Sequence, residues 1–151
     1  MKRLLLATVL VVVAFPMAAH AFINNVSLSV GEGIAVVDGK VHRGPVNFEL
    51  IPSFSIPFVK FDLGMVVTSE KPVDFQIRPG VRVTPPWLYV RAAIPLKVTH
   101  GFDYGFLLGV GKDLFSIGIA SIFLEVDSFW TKHRGFDNLP IEGRLGVSLG
   151  F

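Results

Sequence analysis

Phe75-Gln76-Ile77-Arg78-Pro79-Gly80-Val81-Arg82-Val83-Thr84 and, past Pro85-Pro86-Trp87, Leu88-Tyr89-Val90-Arg91-Ala92-Ala93-Ile94-Pro95-Leu96-Lys97 are built on strict alternation. One side of the first segment carries Phe75, Ile77, Val81 and Val83; the other carries Gln76, Arg78, Gly80, Arg82 and Thr84. In the second, Leu88, Val90, Ala92, Ile94 and Leu96 oppose Tyr89, Arg91, Ala93, Pro95 and Lys97. A period of two marks β-strands whose two faces meet different surroundings. The same alternation lies on either side. Phe61, Leu63, Met65 and Val67 oppose Lys60, Asp62, Gly64, Val66 and Thr68, and Tyr104, Phe106, Leu108 and Val110 oppose Gly105, Leu107, Gly109 and Gly111. Gly, Pro and Asp clusters recur every ten or so residues, which divides the chain into eight predicted strands: 26–37, 46–55, 58–68, 73–84, 87–98, 103–111, 114–127 and 141–151.

Alternation alone does not say which face is wet. A soluble barrel of the lipocalin kind would turn the apolar face inward. Three features point the other way. Strands of about ten residues, at ~3.3 Å rise and ~40° tilt, span ~25 Å, the height of an outer-membrane apolar band. Glycine gathers on the polar face, where an eight-strand lumen has little room. Aromatic residues gather at strand ends. With the first strand running outward, Phe54, Phe58, Trp87, Phe115 and Phe151 fall near the periplasmic rim, and Phe48, Phe75, Tyr104, Phe129 and Trp130 near the outer one. Two such girdles characterise membrane barrels. Short links are expected at Ile56-Pro57, Pro85-Pro86 and Lys112-Asp113, and long ones at 38–45 and 128–140. The expected fold is all-β: an eight-stranded antiparallel up-and-down transmembrane β-barrel.

The amino terminus reads Met1-Lys2-Arg3, an apolar run from Leu4 to Val13, then Ala19-His20-Ala21. A basic start, a short apolar core and an Ala-x-Ala site describe a secretory signal peptide over 1–21, leaving a barrel domain over 22–151. The apolar run is too short to cross ~30 Å of hydrocarbon comfortably as a helix. The chain has 14 Lys+Arg and 12 Asp+Glu; loss of Lys2 and Arg3 leaves 12 of each, so the basic balance is no argument for nucleic acid. Cysteine is absent, which excludes disulfides, thiolate metal ligands and a lipidated N-terminal cysteine.

The last strand, Ile141-Glu142-Gly143-Arg144-Leu145-Gly146-Val147-Ser148-Leu149-Gly150-Phe151, sets Leu145, Val147, Leu149 and Phe151 on one face. A terminal Phe preceded by alternating apolar residues resembles the C-terminal assembly signal of bacterial outer-membrane barrels. The mature chain resembles the small eight-stranded barrels of the OmpA/OmpX type. That resemblance implies an outer-membrane location and reading of Phe151, Leu149 and Val147 by the barrel-assembly machinery. Gly143 departs from the pattern, since the family often has an apolar or aromatic residue there. Pro52, Pro79 and Pro95 lie inside predicted strands and each removes a ladder donor, which suggests bulges or shifted boundaries.

Catalytic motifs do not hold up. Gly146-Val147-Ser148-Leu149-Gly150 spells G-x-S-x-G, but a nucleophile elbow needs a following helix, and here the alternation runs straight on. Gly109-Val110-Gly111-Lys112-Asp113 lacks the spacing of a phosphate loop. His42, His100 and His133 fall in expected outer loops without metal-ligand spacing, so no metal or cofactor is expected. Trp130-Thr131-Lys132-His133-Arg134 is the only candidate for lipid A chemistry, and it lacks the His-x-Ser pairing of the deacylase class. Trp130, Lys132 and Arg134, with Trp87 at the other rim, fit contacts with membrane lipid and anionic lipopolysaccharide.

Strand parity turns Glu49, Asp62, Glu125, Asp127 and Glu142 inward together with Lys60, Arg78, Arg82, Arg91, Lys97 and Arg144. An eight-strand lumen is barely wider than the side chains that fill it, so these charges should pair into a plug, with arginine forks on carboxylates such as Glu49 and Glu125. The expected protein is non-enzymatic, monomeric, and structural or surface-interacting. Two alternatives stay open: a narrow transport barrel for small solutes, and a lipid A-modifying enzyme.

Overall fold

The computed structural model describes residues 23–37, 40–69, 71–99, 101–132 and 140–151. Residues 1–21, expected to be a signal peptide, lie outside them, as do His100, His133 and Arg134. The strands are β1 (Asn25–Val37), β2 (Lys40–Ile56), β3 (Val59–Thr68), β4 (Phe75–Val83), β5 (Tyr89–Ala93), β6 (Leu96–Lys97), β7 (Asp103–Ile117), β8 (Ala120–Thr131) and β9 (Ile141–Gly150). β5 and β6 are two parts of one stave, since both pair with β4 and with β7 in unbroken register. Eight staves therefore close, each antiparallel to the next, with β1 against β9 completing the ring. This is an eight-stranded transmembrane β-barrel.

Following the register once around gives the barrel's stagger. From Ile56 the partners run Val59, Val83, Val90, Val110, Val126, Gly143 and Glu32, returning to β2 at Val46, ten residues from the start. A stagger of ten over eight staves tilts the strands by about 40°. The outward face is apolar all round. Leu28, Val30, Phe61, Leu63, Phe106, Leu108, Leu145 and Val147 are all exposed, as only lipid-facing residues can be in quantity.

The links after β2, β4 and β7 lie at one end, the turn end, and those after β1, β3, β6 and β8 at the other, the loop end. At the turn end, Pro57-Phe58 joins β2 to β3, with Phe58 in the left-handed region at φ 66°. Phe58, Trp87, Phe115 and Phe151 are exposed there. At the opposite loop end stand Phe75, Tyr104 and Trp130, while Phe48 pairs with Val67, one residue below the end of β3.

Several expected boundaries are corrected. Lys112-Asp113 is not a turn: β7 continues to Ile117, Leu114 bulges out of register, and the reversal comes at Gly118-Ile119. Gly118 supplies the positive φ of 57° that neither Lys112 nor Asp113 provides cheaply. The expected loop at 38–45 is strand from Lys40 onward, because Gly44-Pro45 forms a bulge opposite Gly33 and the ladder resumes at Ile34 and Arg43. Pro52 and Pro79 cause no register shift, whereas Pro95 falls in the break between β5 and β6. Phe129 does not join the outer girdle; it faces inward and lines the cavity described below.

The inward glycines make the fold possible at this diameter. A Cβ at Gly64 would overlap the Glu49 carboxylate, one at Gly109 the Asp127 carboxylate, and one at Gly111 the Tyr89 ring. Gly64→Ala should destabilise the barrel by about 1–3 kcal/mol through overpacking. Leu63→Ala, facing lipid one residue away, should cost clearly less. Urea unfolding followed by heat-modifiable gel migration measures both.

Candidate functional site

The lumen is layered along the barrel axis. Nearest the turn end, Asn25, Ser27 and Ser148 form a hydroxyl cluster, with Ser27 Oγ 3.0 Å from Ser148 Oγ and both hydroxyls donating to Asn25 Oδ1. Ser148 thus sits in a straight strand among small polar partners. Above this cluster lies an aromatic floor. Tyr89 and Phe123 meet edge to face at 6.5 Å, and the Arg82 guanidinium sits 4.5 Å from the Tyr89 ring centre. Gly111 and Gly146 leave the space these rings occupy.

The middle of the lumen is charged. Among the described residues, Arg78, Arg82, Arg91 and Arg144 are buried with Glu49, Asp62, Glu125, Asp127 and Glu142. They come from β2, β3, β4, β5, β8 and β9, so the pairing crosses the lumen as well as running along its wall. Arg91, fully buried, applies its fork to Glu49, with Nη2 donating to Oε1 at 2.7 Å and Nη1 to Oε2 at 3.4 Å. Its Nη1 also donates to Glu125 at 3.1 Å, and its Nε lies 3.6 Å from Asp62. Arg82 holds Asp62 at 3.0 Å, and Ser53 donates to the same carboxylate at 2.7 Å. Arg144 contacts Glu49, Asp127 at 2.9 Å and Glu142 at 3.2 Å. Arg78 reaches Glu49 at 3.6 Å and Glu142 at 3.8 Å. Three arginines from three staves therefore converge on Glu49.

Two inward charges stand apart from this middle layer. Lys97 is at the loop end, paired with Asp74 at 2.7 Å, and Thr99 donates to the same Asp74 at 3.1 Å. Lys60 is half-buried near the turn end, opposite Ser55 and Arg82 in the ladders.

Above the charged layer the barrel opens into a cup of about 550 Å3 at the loop end. Asn47, Thr68, Gln76 and Arg78 form its floor, and Pro45, Pro95, Phe129 and Pro140 its wall. No sequence signal marked this cup, because it depends on how far β1 and β2 rise above their neighbours. The aromatic floor was half legible: Tyr89 has inward parity in the alternating pattern, while Phe123 looks like any strand apolar residue.

The remaining candidates lie on the outer surface. Trp87 is 78% exposed at the turn end. Lys132 Nζ stands 5.4 Å from the Tyr104 ring centre at the loop end, near Trp130, whose cross-strand partner is Phe106. Val147 and Leu149 face outward, and Phe151 is exposed with its amide bonded to the Asn24 carbonyl at 2.9 Å. Of the histidines, only His42 lies within the described residues, on the cup wall, and no cluster of metal-ligating side chains occurs among those residues.

No protein-family model matches the chain, and no curated protein does. Solved structures do. Neisserial surface protein A is similar over 84% of this chain and 96% of its own, at 12% identity and a TM-score of 0.57. The de novo designed barrel TMB2.3 is similar over 86% and 96%, at 11% identity and a TM-score of 0.51. At such identities the likeness is one of fold: this chain is built like a transmembrane β-barrel.

Removing the shared carboxylate should be costly. Glu49→Gln leaves Arg78, Arg91 and Arg144 short of a buried anion, so the barrel should lose about 3–5 kcal/mol. Denaturant unfolding of the refolded protein in lipid measures this. Charge removal at the exposed Glu32–Arg43 pair should change stability by about 0–1 kcal/mol.

Proposed function

We propose that this chain is a non-enzymatic protein of the bacterial outer membrane, a closed barrel with no through-path whose loop end is a surface for interaction. The observation that carries this reading is the middle lumen layer, where five carboxylates and four guanidiniums are buried against one another across the barrel. Long side chains paired at 2.7–3.8 Å leave no room for a hydrated ion. The cup above them is a dead end, which suits binding at the surface better than transport.

In this reading residues 1–21 direct export and are removed, and the loop end faces the outside. Trp130 and Lys132, with Arg134, meet the headgroups of outer-membrane lipid and lipopolysaccharide, while Trp87 anchors the periplasmic rim. Phe151, Leu149 and Val147 are the segment that the barrel-assembly machinery engages. The closed ring satisfies its own strand edges, so a single chain suffices.

Two measurements test this. In planar lipid bilayers the wild-type protein should show no steady conductance; stable ion-selective currents would promote the transport reading. Removal of Phe151 should lower the amount of barrel in the outer membrane several-fold in cells, yet change the urea midpoint of the refolded protein little. A truncated chain that assembles normally would withdraw the assembly role.

A further inference from the structure

The cup at the loop end, about 550 Å3, falls in the size range of small-molecule sites, ~300–1,000 Å3. Its two halves differ in kind. One half is polar: Asn47 on β2, Thr68 on β3 and Gln76 on β4 line it, and Asn47 and Thr68 are direct cross-strand partners. The other half is apolar, with Pro95 at the break before β6, Phe129 on β8 and Pro140 just before β9. The Gly105 amide donates to the Pro95 carbonyl at 2.9 Å, and the Phe129 amide to the Pro140 carbonyl at 3.4 Å. This half therefore keeps its backbone tied into neighbouring staves, and proline adds no donor of its own. The stagger brings Asn47, Gln76, Pro95 and Phe129 to nearly one height, so the two halves face each other across the bore.

The charges of the lining are already matched. Arg78 donates Nε and Nη2 to Gln76 Oε1, each at 3.3 Å, and faces Glu49 and Glu142 at 3.6 and 3.8 Å. Lys97 holds Asp74 at 2.7 Å and opposes Asp103 in the ladder, and Arg43 pairs with Glu32 at 3.7 Å. An ionic ligand would meet no charge in want of a partner. What the polar half has left is neutral hydrogen-bonding capacity. Asn47, 7% exposed, gives Nδ2 to Glu142 at 3.0 Å, and its Oδ1 has no donor among the described residues. Gln76 has turned its oxygen to Arg78, which leaves its amide nitrogen to donate. Thr68 Oγ1 accepts from the Asp74 amide at 3.2 Å, which leaves its own proton to donate. A carboxylate can only accept from this set and an ammonium can only donate; a hydroxyl does both. A hydrocarbon would cover these groups and partner none of them.

We infer that the cup is a binding site for a neutral sugar, a mono- or disaccharide whose hydroxyls meet Asn47, Thr68 and Gln76 while a C–H face of its ring lies against Phe129 and the prolines. A pyranose carries both surfaces on one rigid ring, and its slightly positive C–H groups suit the negative face of an aromatic side chain. The inference rests on the reading of the loop end as an interaction surface and names what that surface takes.

Proton–nitrogen correlation NMR of the refolded barrel in phosphatidylcholine nanodiscs tests it, with no glycoside detergent present to occupy the cup. The neutral probes are methyl glucoside, methyl galactoside, maltose and lactose. Glucuronate and glucosamine bring a similar ring with a charge, and N-acetylglycinamide is a neutral amide of peptide type. At least one neutral sugar should shift Asn47, Thr68 and Gln76 saturably, with half-saturation at about 1–10 mM, as befits a ligand of so few atoms. Glucuronate and glucosamine should bind several-fold more weakly. Phe129→Leu should weaken binding about fivefold by removing the flat ring. Thr131→Phe, which fills the cup from its wall, should abolish the response with a urea midpoint near that of wild type. Ala35→Phe fills the same space from β1 and serves where Thr131→Phe does not fold. The absence of any saturable shift with the neutral sugars at about 100 mM overturns the inference. So does tighter binding of glucuronate or glucosamine, a response to N-acetylglycinamide alone, or a sugar response that survives cup filling. Conductance enters none of these readouts, so failure here and failure of the sealed-barrel reading are distinguishable.

Discussion

Eight tilted staves with a stagger of ten enclose a bore that holds side chains and little else. Nearly every feature of the interior answers to that bore. Closure is required because lipid offers no partners for strand edges, and closure with so few strands makes the lumen narrow. Each long inward side chain must then be given its volume by something small beside it. Gly64 admits Glu49 and Arg91, Gly109 admits Asp127, and Gly31 admits Arg144 and Glu142. The glycines and the charges are one device. Neither would be tolerated without the other.

The same pairing of large and small explains why the interior is layered. A fork such as that of Arg91 satisfies three carboxylates only if they arrive from different staves at one height. The charged residues therefore occupy the middle, where all staves are present and in register. Toward the turn end the ring of partners is incomplete, since β7 runs on past the start of β5. There an aromatic floor, which needs few hydrogen bonds, fills the bore. Toward the loop end β1 and β2 outrun their neighbours, the packing thins, and a cup remains.

Much of this was legible in the sequence, for physical reasons. Two-residue periodicity is read directly from lists such as Phe61, Leu63, Met65 and Val67, so strand number and inward residues follow without coordinates. What was not legible depends on ladder irregularities. Lys112-Asp113 looks like a turn because polar pairs usually are, but the strand continues through a bulge at Leu114 to Ile117. Gly44-Pro45 looks like loop and is a bulge within β2. Phe129 has the composition of a girdle residue and the parity of a lumen residue, and parity decided. Pairing partners across the bore were also hidden, because parity gives a face and not a height. Height comes from the stagger, and only the full set of registers supplies it.

Charge rather than hydrocarbon fills the middle of the bore for a reason that concerns the outside as much as the inside. If both faces of every strand were apolar, sliding one strand by one residue would exchange equivalent surfaces and cost almost nothing. In this barrel a one-residue slip of β9 would turn Glu142 and Arg144 to the lipid and bring Leu145 and Val147 inward. An arginine facing lipid at the bilayer midplane costs about 2–4 kcal/mol, before the loss of its buried partners is counted. The same holds for β2 with Glu49, β4 with Arg78 and Arg82, β5 with Arg91, and β8 with Glu125 and Asp127. Five staves thus carry their own register check, while β1 and β7, with small or uncharged inward residues through the middle of the bore, are held by the neighbours they pair with. β3, anchored by Asp62 alone, is fixed from both sides by β2 and by β4. The ion pairs of the charged layer are therefore as much a statement of which strand arrangement forms as of how firmly it holds.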